Sequence, residues 1–315
     1  MLPIANHQFE PAYLKLHRSG ALKERIEKAW ALLENCTLCP RNCRVDRLAG
    51  ERGFCRTGRL PIVSSWGPHF GEERPLVGRG GSGTIFFTYC NLGCVFCQNY
   101  DISHLGRGEE ISTRRLGEAM LELQQMGCHN INFVTPTHFV PQILDALPLA
   151  IEAGLSLSLV YNSGGYDSVE TLRLLDGVFD IYMPDFKYSD RKVSARFSSA
   201  PDYPEVAKAA LGEMHRQVGE LQLDERGIAR RGLLIRHLVL PEDLAGTKEA
   251  MHFIAQHISP QTYVNVMEQY RPCYQAGEHP PLDRSITGRE FREAVEMALQ
   301  EGLNRLEGLR LTGEC

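Results

Sequence analysis

Thr84-Ile85-Phe86-Phe87-Thr88 runs through Tyr89 into Cys90-Asn91-Leu92-Gly93-Cys94-Val95-Phe96-Cys97, an apolar stretch ending in three thiols at C-x3-C-x2-C spacing. Thiolates are soft ligands that suit zinc and iron–sulfur clusters alike. Three are too few for a structural zinc site, which closes with four ligands. They are also one short of the four that normally enclose a [4Fe–4S] cluster. If no fourth thiolate arrives, one iron keeps an open position at which a small molecule can bind. The competing arrangement is a structural metal site completed by Cys128, Cys273 or Cys315, but none of these belongs to a second tight cysteine pair.

Outward from that loop, short apolar runs alternate with amphipathic ones. Strands are predicted over 84–88, 131–134, 155–161, 179–183, 233–240 and 263–267, and helices over 114–125, 139–153, 168–175, 190–197, 203–218, 248–257 and 288–302. Gly127, Gly154 and Gly177 stop three of these helices. Strands alternating with helices make a parallel sheet with right-handed crossovers, here an α/β fold of the partial (β/α)6 TIM-barrel type. Upstream, Leu22, Ile26, Ala29, Trp30 and Leu33 recur at helical spacing, and 35–83 is rich in Gly, Pro and Arg. The chain therefore divides into an N-terminal helix with a Cys-rich, metal-binding extension (1–83) and a barrel with C-terminal elements (84–315).

The extension carries Cys36, Cys39, Cys43 and Cys55, spaced C-x2-C-x3-C-x11-C, with Pro40 and Gly53 to turn the backbone. Four thiols at these intervals suit zinc or a second iron–sulfur cluster, and the spacing does not choose between them. Seven of the ten cysteines lie between Cys36 and Cys97, and the first residues lack the apolar core and cleavage site of a secretory signal. Both features point to metal rather than disulfides, and to a reducing cytoplasm. Gly78, Gly80, Gly81 and Gly83 precede a strand rather than a helix, the wrong context for a phosphate loop. Hydrophobic residues make up 43%, charged residues 23% and the net charge is -5. That balance is ordinary for a soluble domain and offers neither a basic stripe for nucleic acid nor a run long enough for a membrane.

In a parallel α/β architecture the chemistry gathers at the carboxyl ends of strands. The first end delivers Cys90, Cys94 and Cys97. The second delivers Thr135-Pro136-Thr137-His138, with Thr135 a source of polar contacts and His138 either facing substrate or bonded to nearby backbone. The third, Tyr161-Asn162-Ser163-Gly164-Gly165, supplies Asn162 and Ser163 for a ribose or carboxylate. The fourth supplies Asp185 and Lys187, two apart and so on one face. Arg236 interrupts an apolar strand, where a charge is costly unless paired, and a cofactor carboxylate is the expected partner. Gln269, Tyr270 and Arg271 fall at the sixth end.

The cysteine spacing, with Phe96 before the last thiol and a strand before the first, resembles the radical S-adenosylmethionine (SAM) superfamily. The resemblance implies that SAM chelates the open iron through its amino and carboxylate groups, and that one electron cleaves it to a 5′-deoxyadenosyl radical. Phe96 would then pack by the adenine, and Arg236 and Asn162 would bind polar parts of SAM. Asp185-Phe186-Lys187 and Arg236-His237-Leu238-Val239-Leu240-Pro241 resemble segments of the pyruvate formate-lyase activating enzymes. An uncharacterised subgroup carrying that label is closer still: it shares the Cys-x-Leu-Cys-Pro-Arg-x-Cys pattern of Cys36 to Cys43 and the Gly83-Thr84-Ile85-Phe86-Phe87 run. The likeness covers about 36–272. It implies a flavodoxin- or ferredoxin-like reductant and a substrate that is a protein glycyl loop or a small molecule. One departure stands out: where the activating enzymes have Asp-Thr-Asn-Gly, this chain has Tyr161-Asn162-Ser163-Gly164, which removes a carboxylate from their monovalent-cation site. An iron–sulfur electron carrier or metal-binding adaptor without SAM cleavage is the alternative reading.

Overall fold

The computed structural model describes residues 9–308; Cys315 lies outside the described residues. Among the described residues nine strands form one sheet: β1 (Ile62–His69), β2 (Ser82–Phe87), β3 (Glu109–Glu110), β4 (Asn130–Val134), β5 (Ser158–Ser163), β6 (Ile181–Pro184), β7 (Gln222–Leu223), β8 (Ala229–Leu238) and β9 (Tyr263–Met267). Six of them run parallel, in the order β2-β4-β5-β6-β8-β9. These are the six expected from the apolar runs, and they make an α/β partial barrel. β4, β5 and β6 are buried almost throughout, as parallel strands covered on both faces must be.

Helices return the chain between parallel strands. Thr113–Gln125 starts on Ser112, whose side chain accepts the Arg115 N–H; Val169–Leu174 starts on Ser168 and Arg191–Ser198 on Asp190 in the same way. Each cap satisfies donors that a first helical turn leaves orphaned. The register levels the carboxyl ends: Phe86 stands opposite Val134, Val134 opposite Asn162, Asn162 opposite Met183, and Asp185 bridges Arg236. The side chains that matter below thus share one end of the sheet.

The 83/84 division falls inside β2, and the preceding strand β1 runs antiparallel beside β2, with Trp66 opposite Ile85. Tyr13, Leu22, Ala29 and Leu33 share the barrel's core. Helix Ala12–Arg18 is fixed by its first N–H to Asp180 Oδ1 (2.9 Å) and by the Tyr13 hydroxyl to the Leu157 carbonyl (2.9 Å). Arg47, fully buried, donates to the carbonyls of Gly58 and His138 at 2.9 Å each. The cysteine-rich segment is therefore riveted to the barrel by a cation whose charge is met by backbone dipoles. Among the described residues, no helix is long and apolar enough to cross a membrane.

Candidate cluster and cofactor site

The loop after β2 is built around its sulfurs. Cys90 Sγ accepts the Leu92 N–H (3.3 Å), Cys94 Sγ the Ser198 hydroxyl (2.9 Å) and Cys97 Sγ the Ser103 hydroxyl (3.1 Å). The Ser198 oxygen is in turn 2.7 Å from the Tyr188 hydroxyl, so Tyr188, Ser198 and Cys94 form one chain of donors. Burial pushes the Cys90 and Cys94 thiols up, opposed by the nearby Lys187 ammonium. Thiols in such a place hold no charge unless a metal takes it. Hydrogen bonds to ligand sulfur are a main control on cluster potential.

Cys128 sits just before β4, at the opposite end of the sheet from the loop, and cannot serve it. Cys273 belongs to a segment that crosses the loop, where Gln275 N–H meets the Val95 carbonyl at 2.9 Å. Among the described residues, no three His, Cys, Asp or Glu side chains converge on the position of a single metal ion. Three soft donors, each with its own hydrogen bond, fit a cluster whose ligands are thiolates.

Beside the loop lies a buried polar network. Arg236 donates through Nε to Asp185 Oδ1 (2.8 Å) and through a terminal nitrogen to Asn162 Oδ1 (2.6 Å); Glu72 lies 3.7 Å from its other nitrogen. Lys187 Nζ meets the second Asp185 oxygen at 2.5 Å. Burial pushes the Asp185 carboxyl up, but the Arg236 and Lys187 charges together hold it below the usual range. Burial lowers Lys187, and Asp185 more than restores it. Glu72, buried and close to Glu73 and Asp185, is pushed up to about 7 against the pull of Arg236. The strands thus bring Asn162, Asp185, Lys187 and Arg236 together as one unit, and add Glu72, which no motif announced. Asp185 and Glu72 already meet part of the Arg236 charge.

Other expected residues sit differently. His138 does not face a substrate: it is 1% exposed, and its Nε2–H donates to the Thr88 carbonyl at 2.9 Å. Burial takes its pKa down to about 3, so the ring is neutral and a poor proton donor. Ser163 spends its hydroxyl on Asp167 Oδ2 (2.6 Å), and Asp167 also accepts from Thr137 (2.7 Å) and Tyr161 (2.9 Å). This buried carboxylate hub shapes the turn after β5. Phe96 is buried edge-on between Tyr188 and Tyr270, with ring centroids 6.4 and 5.8 Å away. It is a packing residue rather than an open face for adenine. Thr135 holds a left-handed backbone (φ 59°), its N–H on the Asn162 carbonyl at 2.8 Å, so it joins β4 to β5. Cys36, Cys39, Cys43 and Cys55 gather around one cavity. Burial pushes the Cys39 thiol up to about 12, the other three thiols adding to the effect of burial.

A partial parallel barrel whose first strand end presents three cluster-competent thiols defines a class, and comparison with known proteins agrees. Residues 84–220 match the family model described as the Radical SAM superfamily. The uncharacterized protein MJ0674 of Methanocaldococcus jannaschii is 34% identical over 300 residues, covering 92% of this chain and 82% of its own length. A second uncharacterized protein of that organism, MJ0808, is 25% identical over 296 residues, covering 85% of this chain and 78% of its own. Among solved structures, HydG, a maturase of the [FeFe]-hydrogenase, aligns over 69% of this chain and 48% of its own, with a TM-score of 0.46 and 15% identity. The chain spans about half of HydG (48%). The chain belongs to the radical SAM superfamily, whose members hold a [4Fe–4S] cluster and SAM.

Proposed function

We propose that this radical SAM enzyme takes a hydrogen atom from the glycine of a partner protein, as an activator of a glycyl radical enzyme. When bound at Cys90, Cys94 and Cys97, cluster and SAM supply a one-electron cleavage of a sulfonium, and with it a primary carbon radical. The observation that carries the reading is the Asn162–Arg236–Asp185–Lys187 network beside those thiols. Its two cations attract a ligand carboxylate, and Asp185 fixes both in place, so that little reorganises on binding. In the balanced reaction a flavodoxin- or ferredoxin-like donor would lose one electron, the C5′–S bond of SAM would break to release methionine, and the glycine Cα–H hydrogen would end on the 5′ carbon as 5′-deoxyadenosine, leaving the glycyl radical.

A protein substrate is favoured by the rim around the loop. Tyr274 stacks between Tyr100 (5.5 Å) and His104 (4.5 Å), and His104 Nε2–H reaches the Cys94 carbonyl at 3.1 Å. Tyr100, Tyr274, Leu105 and Phe54 all leave more than a third of their surface in solvent. Exposed aromatic and aliphatic groups at such a density mark binding surfaces. The test is anaerobic incubation of the reconstituted chain with SAM, dithionite and pyruvate formate-lyase. A glycyl-radical resonance on the partner, matched by 5′-deoxyadenosine, supports the role. 5′-Deoxyadenosine without a partner radical refutes the glycyl assignment and leaves SAM cleavage standing.

A further inference from the structure

We propose that Cys36, Cys39, Cys43 and Cys55 hold a second iron–sulfur cluster rather than zinc, and that Arg41 couples this centre to the Cys90–Cys94–Cys97 loop. The four thiols line one cavity together with Arg41, Asn42, Gly53 and His138. Among the described residues, no three potential ligands close on a single-ion position. The same holds of Cys90, Cys94 and Cys97, where membership of the superfamily implies a [4Fe–4S] cluster.

The walls point the same way. His138 is buried to 1% exposure, its Nε2–H is spent on the Thr88 carbonyl, and among the described residues its Nδ1 has no hydrogen-bond partner. Since Nε2 carries the proton, Nδ1 is a bare lone pair. An unpaired buried nitrogen is expensive, and a metal-bearing occupant of the cavity it lines can answer it. The sulfurs carry the same kind of donors as the first group: Cys43 Sγ accepts the Phe54 N–H (3.4 Å), and Cys55 Sγ lies 3.1 Å from the Thr57 hydroxyl. Gly53 closes the cradle; a Cβ there would stand 2.7 Å from both Cβ and Sγ of Cys43.

Arg41, between the second and third of these cysteines, reaches across to the first group. Its Nε donates to the Asn91 carbonyl at 2.8 Å and its terminal nitrogens to the carbonyls of Ser198 (3.3 Å) and Ser199. Asn91 lies inside the cluster loop, and Ser198 is the hydroxyl donor to Cys94. The guanidinium also covers Phe54, 3.8 Å from its centroid. One side chain thus ties the segment that wraps the second centre to the backbone that orients the first.

The full chain is reconstituted anaerobically with iron and sulfide, and iron, sulfide and zinc are counted. The expected result is roughly eight irons per chain. The Cys90→Ala/Cys94→Ala/Cys97→Ala variant, which leaves the second group untouched, keeps roughly four irons with matching sulfide. The same variant holding one zinc, or no metal, overturns the proposal, as does a wild-type chain that saturates at four irons. The readout does not depend on SAM cleavage, so it stands apart from the proposed function. Arg41→Met is expected to keep both sets of iron and to change the spectrum of the SAM-responsive cluster; an unaltered spectrum overturns the coupling.

Discussion

Arg236 and Asp185 form a buried pair at 2.8 Å that joins β8 to the end of β6. Each is less than a fifth exposed at the side chain, so water does little to soften the loss of either. Arg236→Ala leaves Asp185 and Glu72 without their main counter-charge. Breaking a buried pair from one side costs about 3–5 kcal/mol. Urea denaturation should show that loss, and equilibrium dialysis should show SAM binding abolished. A variant that keeps both stability and SAM affinity would remove the network from the site.

Ser198→Ala deletes the hydroxyl donor to Cys94 and strands the Tyr188 hydroxyl. Outer-shell losses at metal sites typically cost 10–100-fold in affinity or activity. The expected outcome is a cluster that still assembles, a more negative midpoint potential, and 5′-deoxyadenosine formation slowed by about tenfold. Redox titration followed by EPR checks it; an unmoved potential would mean that the bond carries no weight.

Gly165→Ala is expected to disrupt the site without touching a polar group. Gly165 has φ 76°, and a Cβ there would fall 2.1 Å from the Asp185 carbonyl oxygen. Both the backbone conformation and the space demand glycine. Loss of stability by several kcal/mol on the scale of strained or overpacked sites, read from the denaturation midpoint, is expected together with loss of cluster content.

Acid titration should expose Asp180. Burial pushes its carboxyl up to about 7, against the N–H groups of Ala12 and Leu159 that bond it. Between about pH 4, where the unfolded side chain ionises, and pH 7, the folded state keeps a proton the unfolded state has released. Stability from this group therefore falls as pH rises through that window, by on the order of 4 kcal/mol across it. His138 acts in the opposite sense. The unfolded ring takes a proton near 6.5, which the folded ring refuses down to about 3, so stability falls on acidification. The difference in denaturation midpoint between wild type and Asp180→Asn, measured from pH 4 to 8, isolates the first effect. A difference that does not change with pH would contradict it.

The six parallel strands were legible because each is a short apolar run closed by Gly, Pro or a polar cluster, a pattern local enough to survive without context. β1 was not. Ser64-Ser65-Trp66-Gly67-Pro68 lies in a stretch that reads only as loops and short hairpins, and β2 gives it the edge that makes it a strand. The three loop cysteines and the Asp185, Lys187 and Arg236 set were visible as charges or thiols out of place in apolar surroundings. Glu72 and Asp167 were not, because each is an ordinary acidic residue in a turn, made special by what folds over it. His138 misled for a related reason. It lies at a strand end, where chemistry is expected, yet Arg47 and Thr88 take up its carbonyl and its Nε2. Sequence gives the strand end but not the direction in which a ring turns.

Cys273 is the described thiol that follows the loop in space, through the Gln275 to Val95 bond. If it closed the cluster, there would be no vacancy for SAM. Cys273→Ser is expected to leave iron content and 5′-deoxyadenosine yield unchanged. A fall in iron with this single change would identify a fourth ligand and point to an electron carrier.

The vacancy itself is read most directly by EPR of the reduced chain, recorded with and without SAM in the Cys36→Ala/Cys39→Ala background to isolate one cluster. An open iron predicts that SAM changes the g values and that the signal decays as 5′-deoxyadenosine appears. A spectrum indifferent to SAM would mean that all four irons are already capped by protein, and would contradict the account.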